Sequence, residues 1–454
     1  MKIPVLAICC ASVVVAVMDI SIVTVALPSL RRDLGASTEG LQWTVDAYTL
    51  VLAGFLVLAG STADRFGRKR VFLTGLTVFG LGSLLCSVAP GIGWLIAARA
   101  VQAVGGTMLN PVALAIVVTT FPEPAARARA IGVFGSMSGL ALALGPILGG
   151  VLVDGLGWRA VFWVNVPIIA VAIAATAVFV PESRAARARR FDPVGQLLVV
   201  LVLGCVVAAI IEARRSPMTL GLLVVAGLAA FALLRHEPRR ADPLLELRLF
   251  RSVPFSGAIA TALCALCGFG AFLFLTTQYL QDVRGLPALD AGLCLLPVGV
   301  LVLFLSPRVG RLVGTRGPRL PLVVAGVALA LGGTASAWLG PATPLPLVLA
   351  DFLLFGVFLA AVNPPITNSA VSGMPASMAG VAGSLASAGR QTGTTLGVAL
   401  AGAGAGIWWL VAALGAGVLV LALVTTGLRA TATAARAAAL FAEVEGAGLR
   451  RPTG

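Results

Sequence analysis

The sequence predicts an all-α polytopic membrane protein, and three observations carry that prediction: the composition, the length of the apolar runs, and the one-sided distribution of the cations. Of 454 residues, 59% are apolar and 11% charged, and the mean hydropathy is +1.03. That leaves too little polar side chain to coat a soluble globule. A helix needs about 20 apolar residues to cross a hydrocarbon core of roughly 30 Å. Fourteen runs bounded by charges, Pro or Gly clusters answer that description, near 4–28, 43–62, 71–90, 93–119, 129–153, 160–180, 193–212, 218–234, 254–280, 290–313, 320–340, 345–371, 380–401 and 407–427. Only Gly402, Gly404 and Gly406 separate the last two. Period-two alternation is absent, which excludes an outer-membrane barrel.

With the N-terminus placed inside, the inner loops and tails hold 24 of the 32 cations, the outer loops hold six (Arg31, Arg32, Arg159, Arg214, Arg215 and Arg284), and Arg99 and Arg390 fall inside spans. Lys and Arg accumulate on the cytoplasmic side, so both termini are expected in the cytoplasm of a multi-pass plasma-membrane protein. The net charge of +14 is therefore a topology signal. Spread over seven short inner segments, these cations make no phosphate-tracking stripe; anionic lipid, not nucleic acid, is their expected contact. The N-terminus runs into the first span without an A-x-A site and reads as a retained span, not a signal peptide.

All seven cysteines lie in or beside apolar spans and read as small membrane residues, not a disulfide framework. Cys264 and Cys267 form C-x-x-C, but no second pair or nearby histidine accompanies them, and no metal is expected. The only histidine, His236, reads as a solvated loop residue.

Two landmarks recur at one offset. Gly60 and Gly67 in the hairpin between spans 2 and 3 match Gly310 and Gly317, and Leu30 and Gly35 after span 1 match Leu280 and Gly285, each 250 residues later. The pairs fall on opposite membrane faces in equivalent hairpins, which predicts two six-helix halves separated by an insert. The expected division is 1–190, a two-helix insert 191–240, 241–428, and a cytoplasmic tail 429–454. The second copy has Gly314 where Asp64 stands, so the halves are not functionally equivalent.

Taken in chain order, the motifs give the chain a family. Span 1 holds Val17-Met18-Asp19-Ile20-Ser21-Ile22-Val23-Thr24-Val25-Ala26-Leu27-Pro28, which resembles the D-x-T-x-V-N-x-A-L-P stretch of fourteen-span drug:proton antiporters, with Ser21 for the usual Thr. Gly60-Ser61-Thr62-Ala63-Asp64-Arg65-Phe66-Gly67-Arg68-Lys69-Arg70 resembles the signature loop of the major facilitator superfamily. Span 4 has Arg99-Ala100-Val101-Gln102-Ala103-Val104-Gly105, similar to R-x-x-Q-G-x-G with Ala103 for the first Gly. In span 5, Gly139, Gly145, Pro146, Gly149 and Gly150 look like the G-x-x-x-G-P-x-x-G-G exporter motif. Trp158-Arg159-Ala160-Val161-Phe162-Trp163-Val164-Asn165-Val166-Pro167 opens span 6 as W-R-W-x-F-x-I-N-x-P does in the same branch, and Gly389-Arg390-Gln391-Thr392-Gly393 in span 13 is similar to that branch as well. The resemblance implies the major facilitator fold, two six-helix halves plus two extra central helices, and efflux of drugs or antibiotics by proton antiport.

Several residues can be read physically. Asp64 can pair with Arg68 and accept from a free helix N-terminus, so Gly60, Asp64, Arg65, Gly67 and Arg68 are read as a gate holding the halves together in the outward-facing state; a merely solvated basic loop is the plainer alternative. Intramembrane charge costs roughly 2.5–3.5 kcal/mol at mid-helix, so Asp19, Asp46, Arg99, Asp351 and Arg390 are expected to face a cavity. At 1.5 Å per residue, Asp19, Asp46 and Arg99 lie about 13, 5 and 9 Å below the outer ends of their helices, so Arg99 can bridge either acid. Moving that Arg changes a carboxylate's proton affinity. Asp19 is the first choice of carrier; Asp46 is the alternative, as a carrier, a cationic-substrate contact or an interfacial residue beside Trp43. Asp351 and Arg390 are candidate cavity liners or structural hydrogen-bonding groups, and Gln102, Asn110, Gln278 and Tyr279 are further candidate liners. The span 5 glycines allow close helix approach and Pro146 a kink, which ordinary packing also explains.

No G-x-x-x-x-G-K-S/T occurs, Lys2 and Lys69 are the only lysines, and no loop is long enough for a catalytic domain; an enzyme is not expected, nor any cofactor. The expected function is proton-coupled efflux of small amphipathic compounds by a monomer, energised by the proton gradient. A dedicated metabolite exporter, an importer or uniporter of the same fold, and a nontransporting receptor remain as alternatives. Thirty Arg against two Lys point to a GC-rich bacterial genome.

Overall fold

In a computed structural model the described residues are 2–184, 192–212, 218–240, 243, 246–372, 376–402, 404, 406–427, 430, 432–434, 436 and 437. Arg187, Arg189, Arg190, Arg214 and Arg215, and most of the tail including Arg450 and Arg451, lie outside them.

Each apolar run becomes a helix: α1 Lys2–Leu34, α2 Thr38–Phe66, α3 Arg68–Ser87, α4 Ile92–Thr120, α5 Pro124–Leu156, α6 Ala160–Phe179, α7 Pro193–Ile211, α8 Met218–His236, α9 Val253–Gln278, α10 Ala288–Arg316, α11 Arg319–Ser336, α12 Leu345–Val371, α13 Ala376–Ala401 and α14 Ile407–Thr425. Where lipid is the solvent, backbone polar groups must be satisfied within the segment, so a long apolar run has the helix as its one open solution. The expected count of fourteen spans is not fully met. Among the described residues twelve helices are long and apolar enough to cross a membrane, and thirteen if α2, bent by 55° between Leu56 and Leu58, is one span. The remaining helix, α13, dilutes its hydropathy with Ser, Thr, Gly, Arg390 and Gln391.

Local chemistry sets the helix ends. Ser37 accepts from the Gly40 N–H at 3.2 Å, Asp192 from the Gly195 N–H at 3.0 Å, and Ser252 from the Phe255 N–H at 3.4 Å, starting α2, α7 and α9. The repeated glycines acquire a physical reason. Gly35 and Gly285 have φ of 60° and 68°, and Gly67 and Gly317 have φ of 110° and 81°. Each 250-residue pair thus marks the same left-handed hairpin, where a Cβ is strained. His236, read as solvated, bonds instead to the Asp192 carboxylate at 3.0 Å, with Arg240 at 3.6 Å from the same oxygen. Burial disfavours charge on Asp192, but the Gly195 amide, His236 and Arg240 outweigh it and hold the carboxyl below its ordinary range.

Helices α1–α6 pack mainly on one another, as do α9–α14; α7 rests on α2 and α13, and α8 on α7. The two bundles meet along α5 with α10 and α2 with α13. The α5–α10 seam is tight at one end. A Cβ on Gly150 would lie 2.4 Å from Leu289 Cα, one on Gly292 2.2 Å from the Pro146 carbonyl, one on Gly299 2.3 Å from Ala143 Cα, and one on Gly139 3.1 Å from Leu303 Cα. Beyond Leu303 the seam ends. Gly132 and Gly310, one heptad further along the same faces, each look into open space. The bundles are therefore closed at the end carrying the α1–α2 turn and splayed apart at the basic end carrying Arg65–Arg70.

Candidate transport site

Asp19 and Arg99 find each other inside the first bundle. Arg99 Nη1 donates to Asp19 Oδ2 and, at 2.6 Å, to Gln102 Oε1, while Arg99 Nε donates to the Thr44 carbonyl at 3.1 Å. Asp19 Oδ1 accepts from Gln102 Nε2 at 2.8 Å and from Asn165 Nδ2 at 3.0 Å, and both amides also donate to Ser83 Oγ. The guanidinium lies 4.2 Å from the centre of the Tyr48 ring. Asp19 and Arg99 are 0% and 1% exposed, so five helices (α1, α2, α3, α4 and α6) are tied by one polar knot shut off from any cavity. This corrects two expectations. Asp19 and Arg99 do not face a cavity, and Gln102 is 0% exposed and part of the knot, not a cavity liner. Hydropathy marks a polar residue as exceptional without saying which neighbour it faces. Asn165 and Ser83 were not singled out, although Asn165 stands inside the W-R motif stretch.

Asp46 is not bridged by Arg99. It is 0% exposed, and among the described residues its one hydrogen bond is the weak one from Thr49 Oγ1 to Oδ1 at 3.4 Å, with Oδ2 left without a partner. Its surroundings belong to both bundles. Thr395 Oγ1 of α13 donates to Thr49 Oγ1 at 2.8 Å, and Gln42 Nε2, one turn along α2, donates to the Val398 and Ala399 carbonyls at 2.8 and 2.7 Å. Asp46 is therefore a residue of the seam between the bundles.

The closed end is latched by side chains outside the quoted motifs. Asp154 of α5 accepts from the Ala288 and Leu289 N–H groups at 3.2 and 2.8 Å, satisfying two free donors at the N-terminus of α10 in the other bundle. Arg31 bonds Asp282 at 3.2 Å and Gln278 at 2.7 Å, and Gln281 reaches the Val25 carbonyl at 2.9 Å. Gln278 and Tyr279 line a cavity of about 290 Å³ beneath this latch, together with Arg31, Asp282, Ser336 and Phe352. Asp351 lies behind it, 3% exposed, accepting from Ser336 Oγ at 2.6 Å with Oδ1 unpartnered; it bridges α11 and α12 and does not line the central cleft.

At the basic end, Arg68 donates twice to Asp64 Oδ1, at 2.9 and 3.2 Å. Among the described residues no helix N-terminal N–H donates to Asp64, the second partner expected of it. Glu182, beyond α6, instead accepts from the Lys69 N–H at 3.1 Å and lies where a Cβ on Gly67 would be, 2.6 Å from its Oε1. Gly60 has open space where a side chain would stand, and the Arg65 guanidinium lies 5.6 Å from the centre of the Phe66 ring.

The α5 motif divides between two partners. Gly145 and Gly149 admit Ser21 and Ile22 of α1, whereas Gly139 and Gly150 admit α10 across the seam. A helix that slides against one neighbour while gripping another needs small residues on both faces. Gly150→Val should wedge the seam, because its Cβ lies 2.4 Å from Leu289 Cα and 2.7 Å from the Ala288 carbonyl. In a cysteine-free background carrying Val25→Cys, a position 0% exposed, labelling by an impermeant maleimide from the closed side should rise roughly tenfold. Unchanged labelling would show that the seam does not open there.

Arg390 of α13 bonds Thr367 Oγ1 of α12 at 3.2 Å and Ser387 Oγ at 2.8 Å. Asn110 of α4 is half-buried, with Oδ1 unpartnered.

Comparison with known proteins agrees with this architecture. The model of the Major Facilitator Superfamily matches residues 9–398. The multidrug resistance protein Stp of Mycobacterium tuberculosis is 38% identical over 395 residues, covering 86% of this chain and 73% of that protein. The tetracenomycin C resistance and export protein of Streptomyces glaucescens is 35% identical over 396 residues, with the same coverage of 86% and 73%. The puromycin resistance protein pur8 of Streptomyces alboniger is 37% identical over 392 residues, covering 85% and 78%. Among solved structures, a POT family transporter in complex with 5-aminolevulinic acid superposes with a TM-score of 0.70 over 92% of this chain and 94% of that one, at 14% identity, a likeness of fold alone.

Proposed function

The chain belongs to the Major Facilitator Superfamily, a transporter and not an enzyme, and from that premise we propose that it exports small amphipathic drugs or antibiotics by proton antiport. The named functions of its relatives, multidrug resistance and antibiotic export, support the substrate class. The positive-inside tally supports placing the basic end in the plasma membrane's cytoplasmic leaflet, which makes the described conformation inward-facing. Rocking of the two bundles about the α5–α10 and α2–α13 seams then gives alternating access, by one copy of the chain and with no cofactor beyond the proton gradient. In the outward-facing state the basic end closes, and there the Asp64–Arg68 pair gains its partners from the other bundle.

One observation carries the coupling: Asp46 is a buried carboxyl with an unpartnered oxygen on the seam that has to move. A proton can settle on Oδ2 without breaking any bond, and its departure leaves a charge that the closed seam disfavours. Asp19 is the poorer carrier, because both its oxygens already accept from Arg99, Gln102 and Asn165, and a proton must displace one of those donors. The Asp19–Arg99 knot instead holds the first bundle rigid.

The test is efflux of ethidium from preloaded cells expressing the protein, with and without an uncoupler, against an empty-vector control. Faster efflux that stops on addition of uncoupler is expected. Efflux indifferent to the uncoupler and to an imposed pH step would sink proton coupling, and efflux no faster than in the control would sink the drug-export reading for that class of cation.

A further inference from the structure

An arginine in the splayed cleft has no counter-charge among the described residues. Arg390 is 14 residues from the start of α13, about 20 Å along the helix and so near mid-bilayer. The faces of α13 fix where it points. Gly389, Gly393 and Gly397 lie against α9, and Thr395, Val398 and Ala399 against α2. Leu396 packs into the cluster of Val207 and Ile211 on α7. At about 100° per residue, Ser387 falls opposite Leu396 and Arg390 beside the α9 face, both on the remaining arc between the α9 and α2 faces, which is the wall of the cleft between the bundles. Across that wall Arg390 reaches Thr367, which is exposed on α12.

Both of its described acceptors are neutral hydroxyls, and it makes no ion pair with any described carboxylate. This is unlike Arg99, Arg68 and Arg31, each of which has one. An intramembrane cation is costly to insert and is ordinarily paired or turned to a pathway. Two hydroxyls hold the guanidinium in place while leaving its donors to the cleft, and a planar fork of donors suits a carboxylate.

We propose that Arg390, steadied by Thr367 and Ser387, is the subsite for an anionic substituent, a carboxylate or its equivalent, on the transported amphiphile. The inference rests on the export reading above and adds its specificity: the pump takes amphiphiles bearing an anionic group as well as cations. A substrate anion there neutralises the cation of α13 one and a half turns from Thr395, at the same seam where Asp46 holds its proton, so occupancy of the subsite and closure of the seam are linked.

Fluorescein and its methyl ester test this, because they differ at the carboxylate. Binding of each to purified protein in phosphatidylcholine nanodiscs is read by fluorescence polarisation, and efflux of each is read in everted vesicles. The expected result is that wild type binds fluorescein more tightly than the ester, that Arg390→Gln raises the fluorescein Kd about tenfold while moving the ester less than about twofold, and that Arg390→Lys lies between. Wild-type protein without a preference for the carboxylate, or an equal loss for both probes in Arg390→Gln, would overturn the subsite. Selective binding that survives while neither probe is pumped would leave the subsite standing and sink the export reading.

Discussion

Asp46→Asn is expected to lower proton-driven efflux by on the order of 10²-fold, the scale that a positioned proton-transfer group contributes, while leaving gradient-free exchange of labelled for unlabelled substrate close to wild type. The asparagine keeps the shape and the Thr49 contact but cannot release a proton when the α2–α13 seam opens. The substituted protein should therefore still rock between its two faces with substrate bound, because the Gln42 and Thr395 bonds across the seam are untouched. The measurement pairs uphill efflux in everted vesicles under an imposed pH gradient with exchange in the absence of one. If both fall together, Asp46 is structural; if neither falls, the proton is carried elsewhere, and Asp351, a second buried acid within a membrane span with an unpartnered oxygen among the described residues, becomes the group to replace.

The second large effect is on stability. Arg99→Ala should destabilise the first bundle by about 3–5 kcal/mol, because it leaves Asp19 charged, buried and short of its strongest donor. Arg99→Lys should recover little, since one ammonium cannot reach Asp19, Gln102 and the Thr44 carbonyl together or cover the Tyr48 ring. The double substitution Asp19→Asn with Arg99→Gln should be more stable than Arg99→Ala alone, as no unpaired charge then remains. Thermal unfolding of the purified variants, followed by size-exclusion chromatography, gives the ranking. A double variant no better than Arg99→Ala would mean that the packing of the guanidinium, not the charge, holds the knot. Export activity in the double variant bears on the carrier as well: activity that persists without Asp19 supports Asp46.

The two acids show where sequence reading stops. Both were legible as costly charges within apolar runs, and helix depth put Arg99 within reach of either. Depth is a coordinate along one helix, whereas pairing depends on the rotation of each helix about its axis and on which helices are neighbours. That information enters only when five helices pack around Asp19 and leave Asp46 on the far side of α2, against α13. The same reasoning separates Gln102 from Arg390. Each was a polar residue in a membrane span, yet packing seals one in a core and leaves the other half-buried on the hydroxyls of Thr367 and Ser387.

What the sequence determined by itself is the local and the repeated. Apolar runs become helices because backbone groups in lipid have no other partner, and the paired glycines at 35 and 285, and at 67 and 317, mark left-handed hairpins because only a residue without Cβ enters that conformation freely. The tertiary structure alone decided which faces meet. It set α5 glycines against two different neighbours, closed one end of the α5–α10 seam with Asp154 on a helix N-terminus, and left the basic end open. These are contacts between residues more than a hundred positions apart, and no local sum of hydropathy or spacing encodes the rotation that brings them together.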